Sequence, residues 1–123
     1  MNTIALRPSR VKTALVWILQ IGTAAMFFMA GISKLAGAAA MVQVFDAIGL
    51  GQWFRYVTGG IEVVSAALLL VPSLAFYGAA LLVPTMAGAV LTHLFVIGGS
   101  PAPAILLLAA SIAIASMKWK ENR

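Results

Sequence analysis

Four ionisable side chains sit inside or at the edges of long apolar runs: Lys34, Arg55, Glu62 and His93. An ionisable group carried into a bilayer is expensive, so each marks a candidate site. A carboxylate such as Glu62 must there pair with a cation or hold a proton. A histidine titrates near neutrality and can exchange protons with a bound ligand. Spacing gives these groups a common direction. Arg55, Thr58, Glu62 and Ser65 succeed one another at three and four residues, which is one stripe of a helix. Gln20, Thr23, Phe27 and Lys34 share a face of an earlier segment; Thr85, Ala89 and His93 repeat at intervals of four with Thr92 beside them. Polar stripes face lipid poorly, so the three are expected to turn inward on one another. The candidate site is therefore Lys34, Arg55, Glu62 and His93 as ligand-binding or proton-exchanging groups, supported by Thr58, Thr85 and Thr92. Glu62 is expected within reach of Lys34, Arg55 or His93. The competing reading is architectural: Lys34 and Arg55 snorkel to headgroups, the threonines join helices, and His93 is packed. No residue is assigned a catalytic role.

The elements that carry these residues follow from composition. The chain has 123 residues, 63% of them apolar and 9% charged, with mean hydropathy +1.05. A soluble domain has about 45–50% apolar and about 25% charged residues, so this chain is built for lipid. Cysteine is absent, which excludes disulfides, iron–sulfur ligation and thiol redox chemistry by the chain itself. One histidine and three acidic residues leave too few ligands for a zinc site, and no metal is expected. The net charge of +5 comes mostly from the ends, with Arg7, Arg10 and Lys12 at one and Lys118, Lys120 and Arg123 at the other. That placement suits anionic lipid and excludes nucleic acid as a partner.

An all-α fold is expected: an integral membrane four-helix bundle forming a single domain, residues 1–123. Its helices are read at about 13–33, 57–71, 74–97 and 101–117. The first apolar run is longer than a signal peptide's apolar region of about 7–15 residues, so it reads as a retained membrane helix. Between the first two helices, Met41, Phe45 and Ile48 recur at helical spacing before Gly49-Leu50-Gly51, which predicts a short interfacial or re-entrant helix and a tight turn. Ser73 and Ser100 are expected helix caps, with Pro101 in the first turn. Pro84 predicts a kink in the third helix. An even number of spans with basic ends places both termini in the cytoplasm of a bacterial-type inner membrane.

The stretches Phe28-Met29-Ala30-Gly31-Ile32-Ser33-Lys34-Leu35, Gly59-Gly60-Ile61-Glu62-Val63, Leu68-Leu69-Leu70-Val71-Pro72, Met86-Ala87-Gly88-Ala89 and Thr92-His93-Leu94 occur in this order along the chain. In order and spacing the chain resembles the DoxX-like family of small four-helix membrane proteins. The resemblance implies a membrane subunit of an oxidoreductase assembly. It implies a quinone as the non-covalent cofactor and an oxidoreductase, or further copies of the chain, as partners. Two other classes stay open: a scaffold without chemistry, and a small transporter coupling proton binding at Glu62 to export of a lipophilic cation. A copurifying quinone or oxidoreductase favours the first class; proton-driven uptake by the pure protein favours the transporter.

Overall fold

The computed structural model describes residues 10–122, all helices and turns. Helix α1 spans Arg10–Ala36, α2 Ala39–Ile48, α3 Trp53–Leu69, α4 Ala75–Thr92 and α5 Ala102–Asn122; α4 continues into a π-helical turn, His93–Ile97. Helices α1, α3, α4 and α5 form a four-helix bundle in which α1 and α4 each pack against both α3 and α5. The short α2 lies across one end, against α3 and the π turn. Three described helices are long and apolar enough to cross a membrane: Arg10–Ala36, Ala75–Ile97 and Ala102–Glu121. Helix α3 has 17 residues and carries Arg55 and Glu62 on its buried face.

The exterior is as apolar as the core. Phe95 is 78% exposed and Leu106 71%, while Phe27, Leu69, Leu82 and Ile114 are fully buried. In lipid, apolar side chains gain little by moving inward, so close contact between helices has to hold the bundle together. Glycine supplies that contact. A Cβ at Gly31 would stand 2.7 Å from Val63 Cγ2 and 2.9 Å from the Gly59 carbonyl oxygen; one at Gly59 would stand 2.9 Å from Lys34 Cβ. The α1 and α3 backbones therefore meet directly, a few residues from Lys34 and Glu62. Gly78 does the same for α4, where a Cβ would lie 2.7 Å from the Ser65 carbonyl oxygen.

Several boundaries depart from the sequence expectation. Helix α3 begins four residues before position 57, because Phe54 packs edge-on against Phe45 (5.8 Å) and Arg55 is drawn into the bundle. It closes at Leu69, short of residue 71, since the residue before a proline disfavours helical backbone. Ser73 makes no cap: Leu74 occupies the cap position, and the turn is closed by the Leu74 amide donating to the Val71 carbonyl at 2.9 Å. The expected α-helical end of the third bundle helix is the π turn instead, stopped by Gly98 and Gly99 at φ +73° and +76°. Ser100 does cap, its Oγ accepting from the Ala102 amide at 3.2 Å. Helix α5 continues past residue 117, where Lys118 pairs with Glu121 at 2.9 Å across one turn. Arg7 lies outside the described residues.

Candidate functional site

Gly37, at φ +73°, turns the chain out of α1 so that α2 can fold back across the bundle end. The exposed C-terminus of α1 is then met by a cation. Arg55 Nη1 donates to the Lys34 carbonyl, which also accepts from the Gly37 amide at 3.3 Å. A positive group here complements both this carbonyl of the last turn and the negative end of the helix dipole. Arg55 is 5% exposed, and its guanidinium lies 4.4 Å from the centroid of the Tyr56 ring. Its Nε donates to Gln52 Oε1 at 2.6 Å. Gln52 Nε2 in turn donates to Asp46 Oδ1 at 2.8 Å and to the Val42 carbonyl at 3.1 Å. This chain of polar contacts ties α2, α3 and the end of α1 into one unit.

Lys34, whose backbone Arg55 grips, sends its ammonium across the Gly31–Gly59 crossing to Glu62. Nζ lies 2.8 Å from Oε1, and the Glu62 side chain is 1% exposed. At that separation the two side chains form a close ion pair. The pair stands at the wall of a cavity of about 470 Å³. Lys34, Thr58, Glu62, Thr85, Thr92 and His93 all line it. Arg55 does not: its guanidinium is engaged at the end of α1. Apolar side chains form most of the wall, with Met41, Val44, Phe45 and Ile48 of α2 covering one side. Pro84 adds its ring on α4, where it has no N–H to leave unsatisfied.

The remaining polar groups have fixed partners. Thr58, Thr85 and Thr92 each donate a hydroxyl proton to the carbonyl one turn earlier, on Phe54, Leu81 and Gly88, all at 2.8 Å. His93 Nδ1 lies 3.0 Å from the Gly98 carbonyl. A carbonyl only accepts, so Nδ1 carries the proton, leaving Nε2 as the ring nitrogen open to a ligand. Among the described residues no group of three His, Cys, Asp or Glu could hold a metal. An apolar cavity of a few hundred cubic ångströms with convergent polar groups is the usual form of a small-molecule site.

The DoxX-like family model matches residues 18–116. The chain belongs to the DoxX-like family. The match takes in α3 and α4, most of α1 and α5, and every residue of the candidate site, so this DoxX-like protein is an integral membrane protein whose cavity lies within the family domain. No curated protein and no solved structure matches the chain.

Two contributors to the site escaped the sequence reading. Gln52 is an ordinary polar residue in a glycine turn, and only the fold brings it between Asp46 and Arg55. The α2 wall was visible as a helical spacing of Met41, Phe45 and Ile48, but what it covers was not. Arg55→Gln is expected to loosen this corner while sparing the far end of the bundle. A buried bond to a charged donor contributes about 1.5–3 kcal/mol, so the unfolding temperature should fall by several degrees. Amide exchange should quicken across residues 39–48 and around Lys34, with α5 unchanged. Uniform quickening across the bundle would show that Arg55 has no local role.

Proposed function

We propose that this DoxX-like protein is the membrane subunit of a redox complex and holds a quinone in the cavity between α2, α3 and α4. What carries the reading is one juxtaposition: an apolar chamber of about 470 Å³ whose ionisable groups are a buried Lys34–Glu62 ion pair and His93. Such a chamber fits a flat ring with two oxygens and an apolar tail. Lys34 donates to one ring oxygen, Glu62 keeps the ammonium in place, and His93 Nε2 exchanges a proton at the other. Phe45, Val57 and Met86 take up the ring and tail. A bound quinone supplies the two-electron, two-proton chemistry that a cysteine-free chain lacks, and a partner oxidoreductase exchanges the electrons. A transporter cycling a free acid is disfavoured because Glu62 already has a cation at 2.8 Å.

The test is to purify the protein in native lipid discs, extract it with solvent and analyse extract and copurifying proteins by mass spectrometry. A quinone retained by the native chain and depleted in Phe45→Trp, which fills the chamber, supports the reading. Equal, lipid-like amounts in both would leave a scaffold role.

The same proposal places both termini in the cytoplasm of a bacterial-type inner membrane, with α3 as a fourth span and the cavity toward the outer face. Single cysteines at Asn2, Gly99 and Asn122 of this cysteine-free chain test it. With an impermeant thiol reagent on cells whose outer membrane is permeable, position 99 should label and positions 2 and 122 should not. Labelling at 122 without 99 overturns the topology.

A further inference from the structure

The polar lining of the cavity is lopsided. Each of the three threonine hydroxyl protons is committed to a backbone carbonyl at 2.8 Å, so Thr58, Thr85 and Thr92 offer a ligand only oxygen lone pairs. His93 gives its Nδ1 proton to Gly98, and in the neutral ring Nε2 is then an acceptor as well. Glu62 accepts by nature. Against these stands a single donor in the lining, the Lys34 ammonium, itself drawn to Glu62.

We propose that the cavity reads hydrogen-bond donors, and so takes up the reduced, dihydroxy form of a quinone in preference to the oxidised form. This rests on the quinone reading above and adds the redox state of the ligand that the site selects. A quinol gives one O–H to His93 Nε2 or to a threonine oxygen, and its oxygens still accept from Lys34. The oxidised ring brings two carbonyl oxygens and no donor. Lys34 satisfies one; the other is left facing lone pairs. A site built to accept a ligand hydroxyl discriminates strongly against the analogue lacking it, because the site's own groups then stay unpaired. Redirecting a threonine hydroxyl toward the oxidised ring would forfeit its bond to the preceding turn. One missing hydrogen bond is worth up to about tenfold in affinity, so the quinol should bind several-fold to about tenfold more tightly.

The experiment measures equilibrium binding to the full chain in lipid discs, corrected for partition into protein-free discs. Three probes are compared under anaerobic conditions: a decyl-substituted benzoquinol, the corresponding benzoquinone, and the dimethyl ether of the quinol. The ether keeps the reduced ring and removes both donors. The expected order is quinol first by several-fold to about tenfold, with the quinone and the ether alike. In His93→Leu the quinol should lose most of that advantage while quinone binding stays as it was. Equal binding of quinol and quinone, or tighter binding of the quinone, overturns donor selection and leaves the quinone site standing. Saturable binding by none of the three overturns the quinone reading itself, and the selection with it.

Discussion

Lys34→Met is expected to destabilise the bundle by about 3–5 kcal/mol, the range for breaking a buried ion pair from one side. The carboxylate it leaves behind is 1% exposed, and among the described residues no other cation lies within ion-pair distance of it. Glu62→Gln should do less harm. The freed ammonium sits on a flexible stem in the last turn of α1, 15% exposed already, and can swing toward the headgroups. About 2 kcal/mol is expected for that change. The double replacement Lys34→Met with Glu62→Leu removes both charges and should recover most of the loss, since apolar substitutes for a buried pair are often neutral or better. Thermal unfolding in detergent and in lipid discs gives all three values. Two single losses that add in the double variant would mean the residues do not interact. Recovery of stability without recovery of ligand retention would show that the pair is held for binding.

The second large effect is at the α1–α3 crossing. Gly59→Leu should abolish the folded bundle, because even the first carbon of the new side chain would stand 2.9 Å from Lys34 Cβ and 3.0 Å from the Gly31 carbonyl oxygen. Neither neighbour can retreat without separating two helices whose backbones touch. Gly59→Ala should cost about 1–3 kcal/mol, as overpacking does. The control lies one residue away. A Cβ at Gly60 or at Gly22 meets nothing within 4 Å, so alanine there should be neutral or stabilise by up to about 1 kcal/mol through helix propensity. Surviving fraction after detergent heating, followed by size-exclusion chromatography, ranks the four variants. Equal tolerance at Gly59 and Gly60 would mean that α1 and α3 do not meet where the structure places them.

The two predictions concern the same few residues, and this has a structural cause. Gly31 and Gly59 bring the helices close enough for Lys34 on one to reach Glu62 on the other. Arg55 closes the end of α1 just above. A change at any of these positions is felt at the ion pair, while α5 contributes no residue to the lining of the cavity. Stability and ligand retention should accordingly move together for variants of this corner and separately for variants elsewhere.

Periodicity and composition were enough for the membrane class, the four bundle helices, the short helix before Gly49 and the inward turn of the stripes ending in Glu62 and His93. These follow from one-dimensional information: in lipid the backbone must satisfy itself as helix, and an ionisable group must face inward wherever it falls. Arg55 shows the limit of that logic. It shares the Glu62 stripe, yet a stripe fixes only a direction, and the side chain is long enough to serve either the cavity or the end of α1. The Lys34 carbonyl in the last turn of α1, brought to Arg55 only once α1 lies against α3, decided the matter. Gln52 and the α2 wall depend in the same way on where a glycine turn folds back. Even the selectivity proposed for the cavity could not be read from residue types, because threonine and histidine both donate and accept. Which of the two they offer a ligand is settled by the backbone carbonyls beside them, and those positions exist only in the folded chain.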